Sequence, residues 1–374
     1  MSSSPTLLID PQTPARPTPL SLLASVPDPR DPRGVRHALP VVLGLGLAAV
    51  LAGSQSFAAI GQWVADQPVQ GLTELGLTGS ARPNESTIRR AFARLDADEL
   101  DRVLGAHLWT RTRQAGARRV VALDGKTVRG ARTDTNVAPH LVAAFDHAAG
   151  AVLGQVAVAA KSNEIPAVRT LLASFDLDQA VVTLDAMHTQ SDTARAITDA
   201  GGDYVFTVKL NQPSLYRACK HLPWAKVPAH TSTGTRGGRR ATRTIKVVTA
   251  PTWVTFAGAT QVAQLRRTTT RAGRTSTEVV YVITSADHHA APPATLAGWV
   301  QGHWGIENRL HWVRDVTFAE DLSQVRTGNA PRVMATIRST AISLLRLNGW
   351  TNIAAALRHH ARHPDRPITC LLTC

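Results

Sequence analysis

The chain has 374 residues, 44% of them hydrophobic, enough for one large core or two ordinary ones. Its 41 Lys and Arg against 27 Asp and Glu leave a net charge of +14, which points to a polyanionic partner, with nucleic acid ahead of an anionic membrane. Three cysteines exclude a disulfide framework, and the longest apolar run, residues 39–53, is broken by Pro and Gly and falls short of the roughly 20 residues of a membrane-spanning helix.

Residues 1–34 are rich in Pro, Ser and Thr and are expected to form a disordered leader. They lack the basic start and apolar core of a secretory signal, so a cytoplasmic, nucleoid-associated protein is expected. Residues 35–115 carry helical signals. Phe57, Ile60 and Val64 recur at helical spacing, as do Ile88, Phe92, Leu95, Leu100, Val103, Leu104 and Leu108, with Asn84 or Ser86 as a cap. "STIRRAF" has the Arg content of a DNA-recognition helix, but no tight turn and partner helix precede it, so a bundle helix is the safer reading.

Residues 117–348 change pattern. "RRVVALD" is a short strand-like run, and "HLVAAFDHAAGAVLGQVAVA" reads as strand, turn and strand. A helix with Pro166 in its first turn follows, then the strand "AVVTLDA", a short helix closed by Gly, and the strand "DYVFTVKL". The order β-β-β-α-β-α-β predicts an α/β domain, a ribonuclease-H-like mixed sheet with flanking helices. Asp124 ends its first strand and Asp185 its fourth. If those strands are neighbours, roughly 5 Å apart, the two carboxylates converge and need a cation between them.

Between Tyr204 and Thr277 there is no Asp or Glu, but there are 13 Lys and Arg. Alternating β-branched and basic residues around "TRGGRR" predict a β-rich basic insertion at about 212–283. Such a surface would grip DNA phosphates, with Lys209, Arg236, Arg239, Arg240, Arg243 and Lys246 as contacts.

In residues 296–328, Trp299, His303, Ile306, Leu310 and Val313 fall at helical spacing and are expected to face inward. Glu307 stands among Trp304, Ile306 and Trp312, an odd place for a solvating acid, and could share a helix edge with His303 and Arg314. Two strand-end Asp and a helical Glu supply oxygen ligands suited to two Mg²⁺ ions, with Mn²⁺ as a substitute, for in-line displacement at phosphorus. Lys126 is expected at a nearby phosphate, as are His303 and Arg314. "GKT" at 125–127 lacks the Gly-rich loop of a nucleotide site. His188 reads equally as an orienting or a packed side chain, and Glu164 and Asn163 as helix caps. Asp315, Glu320 and Asp321 read as partners for nearby Arg. The segment 349–374 is expected to be a frayed basic tail. His359, His363, Cys370 and Cys374 only faintly suggest zinc, because no tight Cys-x2-Cys pair is present.

"DPRGVRHALPVVLGLGLAAVLAGSQSFAAIGQW", "STIRRAFARLD", "ALDGKTVRGA", "KSNEIPA", "TLDAMHTQ", "GGDYVFTVKLNQ" and "HWGIENRLHWVRDVTFAED" together resemble the H-repeat-associated DDE transposases of insertion sequences, over about residues 28–348. The resemblance implies Asp124, Asp185 and Glu307 as the acidic triad, double-stranded DNA of the element ends as substrate, and a homodimer or larger synaptic assembly. It also implies a ribonuclease-H-like fold with a helical associated domain ahead of it. Related transposases often carry Tyr, Arg, Glu and Lys on the Glu-bearing helix. Here Val300 and His303 occupy the first two places and Arg314 the last, so hairpin-forming chemistry is not carried over. A nuclease that never joins ends, or a DNA-binding copy that no longer cuts, are the alternative readings.

Overall fold

Capping chemistry and apolar periodicity set the first helices: α1 (Pro19–Leu22), α2 (Leu39–Leu51), α3 (Phe57–Asp66), α4 (Val69–Glu74), α5 (Glu85–Arg94) and α6 (Ala97–Arg111). Ser56, Asn84 and Asp96 each accept from backbone N–H groups of the turn they open. Every residue of α2 except Pro40 is buried, as expected of a helix that is apolar on all sides. The structure, a computed structural model, describes residues 17–374 apart from 115, 136, 161 and 237.

The remaining elements are β1 (Val120–Thr127), β2 (His140–Asp146), β3 (Val152–Ala157), α7 (Glu164–Leu172), β4 (Val181–Leu184), α8 (Ser191–Asp199), β5 (Asp203–Val208), α9 (Pro213–Lys220), β6 (Ala229–Arg236), β7 (Arg239–Thr249), β8 (Gln261–Arg271), β9 (Arg274–Thr284), α10 (Pro293–His303), α11 (Ala330–Leu347), α12 (Ile353–Ala361) and α13 (Asp365–Thr373). Nine strands form one mixed sheet in the order β3-β2-β1-β4-β5-β9-β8-β7-β6. β1, β4 and β5 run parallel, and the other neighbours are antiparallel. The basic insertion therefore extends the central sheet itself, because β9 returns to pair with β5.

Strand alternation divides the sheet's two faces. Val121, Leu123, Val182, Leu184, Tyr204 and Phe206 pack under α7, α8 and α9. Ala122, Ala143 and Phe145 face the other way, against Ile306, Leu310 and Val313 and the helical bundle. That bundle draws on both ends of the chain: side chains of α2, α5 and α6 share one core with those of α11, α12 and α13. Among the described residues, no helix is long and apolar enough to cross a membrane.

Two expectations about the chain ends are corrected. From residue 17 the leader is ordered, with Leu23 and Val26 buried in the bundle; residues 1–16 lie outside the described set. The tail is not frayed, since Ile353, Leu357, Ile368 and Leu371 give α12 and α13 apolar faces that dock on the same core. Cys370 and Cys374 are buried, and both sulfurs accept from Asn348 Nδ2. Among the described residues no His, Cys, Asp and Glu cluster there suits a metal ion.

Candidate active site

Register and alternation bring the first two acids together. β1 and β4 pair Val120↔Val181, Val121↔Val182 and Ala122↔Thr183, and the same register carried two residues further sets Asp124 beside Asp185. Asp185 keeps an extended backbone (φ −73°, ψ 178°), so its side chain continues the alternation of Val181 and Thr183. Both carboxylates therefore leave the sheet on the face of Ala122, where Ile306 and Leu310 lie. Its Oδ1 accepts from Met187 N–H at 3.1 Å, opening a single helical turn at 186–188.

The third acid reaches the same place from the segment after α10. Asp124, Asp185 and Glu307 line one cavity of about 160 Å³ with Thr183, Lys209, Arg267, Glu278, Val300, His303 and Trp304. Past α10 the helix widens into two π-helical segments, Glu307–His311 and Val313–Thr317. In a regular α-helix, positions four apart rotate by about 40° at each step. The wider turn opposes that rotation, so residues 303, 307, 311 and 315 all meet the sheet edge. His303 Nδ1 lies 3.0 Å from Thr183 Oγ1, His311 Nδ1 3.4 Å from Asp124 Oδ2, and Asp315 Oδ1 2.5 Å from Lys126 Nζ.

The electrostatics reflect the convergence. Burial together with the Asp124 and Asp185 charges raises the Glu307 carboxyl above its ordinary range, with His311 opposing. At Asp124 burial works against ionisation, but the contact with His311, together with the Gly125 N–H and His303, outweighs it and the carboxyl is held low. Burial lowers the His303 imidazole despite both aspartates. The three acids supply the oxygen donors that a hard divalent cation prefers, and their mutual repulsion is what such a cation relieves. Among the described residues, however, no group of three His, Cys, Asp or Glu is drawn tightly enough to hold an ion as placed.

Other expected contacts divide. Lys209 is exposed at the cavity rim, and Arg240 is exposed on β7. Lys246 is half-buried, with its Nζ donating to the Trp224 carbonyl. Arg243 is half-buried on β7. The side chains of Arg236 and Arg239 lie outside the described set. Two expectations are corrected. Arg314 is fully buried and bonded through Nε and Nη2 to Glu320 at 2.8–3.0 Å, so it faces the core and not a phosphate. Lys126 is also buried, paired with Asp315 and, at 3.9 Å, with Asp321. The π-helical register explains Arg314, since regular helical spacing had set it on the edge of Glu307. Sequence reasoning missed His311 and Arg267, and it read Asp315 as a pairing partner for Arg and not for Lys126. Their signals were the four-residue spacing from His303 and Glu307, and the acid-free run that contains Arg267. Arg267 stacks 4.7 Å from the Trp304 ring and pairs with Glu278 at 2.6 Å. In the bundle, α5 packs through Ile88 and Phe92, and Arg89 pairs with Glu85.

Comparison with known proteins bears on the same residues. The family described as "DDE_Tnp_1-associated" matches residues 20–108, and that described as "Transposase DDE domain" matches residues 115–344. "Putative transposase YncI" of Escherichia coli O157:H7 is 30% identical over 348 residues, covering 87% of both chains. "H repeat-associated putative transposase YhhI" of Escherichia coli K12 is 30% identical over 341 residues, covering 86% of this chain and 89% of its own. A piggyBac transposase, solved as a synaptic complex with hairpin DNA, matches at 11% identity and a TM-score of 0.43 over 95% of this chain and 79% of its own, too loose a likeness to carry an argument. With the two family matches adjoining along the chain and relatives aligned over most of their length, the protein belongs to the DDE-domain transposases, in the group that includes the H repeat-associated ones.

Proposed function

We propose that this transposase cuts the phosphodiester at the ends of an insertion sequence and joins the freed 3′-OH to target DNA, with Asp124, Asp185 and Glu307 as the catalytic acids. One observation carries the reading: two aspartates in register on adjacent parallel strands share a cavity with a glutamate brought from a distant helix. The strand order β3-β2-β1-β4-β5, with β1, β4 and β5 parallel, supports a ribonuclease-H-like catalytic core.

The chemistry is two in-line displacements. A water oxygen attacks phosphorus and the 3′-oxygen leaves with the electron pair, giving a 3′-OH and a 5′-phosphate. That 3′-oxygen then attacks a target phosphodiester, forming a new P–O bond as the target's own 3′-oxygen departs. Asp124, Asp185 and Glu307 would hold a pair of Mg²⁺ ions, for which Mn²⁺ can stand in; when bound, these stabilise charge on the attacking and leaving oxygens. Lys209 at the rim and Arg267, held over the Trp304 ring, attract the phosphodiester into the cavity. The exposed basic side chains of the insertion, Arg240 among them, hold flanking duplex DNA. Two element ends have to be held at once, which calls for at least a dimer.

Asp124→Asn tests the reading. Cleavage of an end-containing duplex should vanish while DNA binding without divalent cation is retained. A variant that still cleaves refutes the assignment. Strand transfer from an oligonucleotide that already carries the 3′-OH distinguishes a transposase from a nuclease that never joins ends.

A further inference from the structure

Glu164 opens α7 close to the candidate cavity but is not among its lining residues. Asn163 alone caps the helix, accepting from Ile165 N–H at 3.0 Å. The Glu164 carboxylate instead lies between two imidazoles: His140 Nε2 is 2.7 Å from Oε1 and His188 Nε2 is 3.1 Å from Oε2. On the other side of His140, Nδ1 lies 2.7 Å from Thr127 Oγ1. A neutral His140 satisfies both contacts, donating through Nε2–H and accepting the Thr127 hydroxyl proton at Nδ1.

What this carboxylate joins is specific. Thr127 ends β1, three residues past Asp124, and His140 begins β2 beside it. His188 ends the single turn that Asp185 opens, is 1% exposed, and sets Nε2 4.0 Å from Asp185 Oδ1. Between them, Gly125 brings its backbone so close to Glu164 that a β-carbon there would overlap the carboxyl group. One charged group, 16% exposed, thus spans the strand that carries Asp124 and the turn that carries Asp185. A half-buried carboxylate with two imidazoles is a costly way to fill space where apolar side chains would serve. Its effect is to fix the relative placement of the two aspartates.

We propose that Glu164 is a positioning residue that, by holding His140 and His188 together, locks the Asp185 turn against the Asp124 strand. The proposal rests on the reading of Asp124 and Asp185 as catalytic. Glu164 touches neither DNA nor the reacting atoms; it acts through His188.

The test pairs cleavage with hydrogen exchange on the full chain. In E164A, amides of residues 185–190 should exchange faster while those of α2 do not change. Cleavage should slow by about 10–100-fold at unchanged DNA affinity. E164Q keeps one acceptor oxygen and should recover part of the rate, and it serves for both measurements if E164A folds poorly. If Glu164 acts through His188, the double variant E164A/H188A should be no slower than the slower single. Unchanged exchange at 185–190, or single effects that multiply in the double variant, overturns the proposal. A wild-type protein that does not cleave, but whose 185–190 exchange still responds to E164A, defeats the catalytic reading and leaves the clamp standing.

Discussion

Replacing Glu320 by Ala probes how firmly the helix carrying Glu307 is anchored. Glu320 and Arg314 are each 0% exposed and Arg338 is 1% exposed, so one carboxylate faces two guanidinium groups with no access to water. Arg314 donates from Nε and Nη2, and Arg338 Nη1 lies 3.2 Å from Oε2. Removing the acid leaves two buried cations without a counter-charge, at a cost of about 3–5 kcal/mol. That is a large part of the roughly 5–15 kcal/mol by which a folded chain is stable. At about 1.3 °C per kcal/mol for a chain of this size, melting should fall by about 4–6 °C. The partner experiment, R314M/E320L/R338M, exchanges all three charges for apolar volume and should melt close to wild type. Burial pushes the Glu320 carboxyl up, but Arg314 and Arg338 more than offset it and hold it low. The stabilisation is therefore complete above the range where an unfolded Glu ionises, and disappears as pH falls through the lower folded value. Thermal melts of the three proteins at pH 7 decide the matter. If E320A melts within about 2 °C of wild type, the three charges are not buried against one another as described.

Asp101 gives the opposite pH dependence: burial, partly opposed by Thr336 and Gln155, pushes its carboxyl up to about 8. Its folded value lies above the unfolded one, so stability should decline from about pH 4 to pH 8, by up to about 1.4 kcal/mol per unit, and D101N should abolish that slope in denaturant melts. R239A/R240A should make the dependence of log K on log salt for DNA binding shallower by about 1.8, two phosphate contacts' worth, and an unchanged slope removes these residues from the interface. G125A should slow cleavage, because its β-carbon displaces Glu164; wild-type rates would show that the strand and the carboxylate yield without consequence.

The parallel strands were readable because Val120–Leu123, Val181–Leu184 and Tyr204–Phe206 are short apolar runs, and runs buried on both faces need no alternation to be recognised. Strand order then placed Asp124 next to Asp185, which requires only that β1 and β4 be neighbours. The Glu307 helix was readable in position but not in register. Periodicity arguments assume 3.6 residues per turn, and nothing local in "IENRLHWVRDV" announces a π turn. The error moved Arg314 to the wrong surface, hid His311 and concealed that Asp315 faces Lys126. Lys126 was misread for a different reason, since its partner Asp315 lies far along the chain and pairing between distant charges leaves no local trace. In the tail, Ile368 and Leu371 did carry an apolar face, but its meaning depended on the α2 surface it covers.

The helical ends of the chain and the cavity are mechanically linked. A π turn bonds i→i+5 in place of i→i+4, a rarer register that contacts from neighbouring elements help to hold. Arg346 of α11 donates to the Arg309 carbonyl at 2.9 Å, and Gln55, between α2 and α3, donates to the Thr317 carbonyl at 3.0 Å. Arg338 of α11 closes the circuit by donating to the Gln55 carbonyl at 3.2 Å while it pairs with Glu320. On the sheet side, Arg309 Nη1 donates to the His147 carbonyl at 2.9 Å. Helices from both ends of the sequence therefore hold the irregular segment in the register that presents Glu307, His311 and Asp315 to β1. The helical associated region and α11 are thus part of the candidate site's construction, because a chain that folded the sheet without them would keep only the sheet-side contacts of His303, Arg309, His311 and Asp315 to hold Glu307 opposite Asp124.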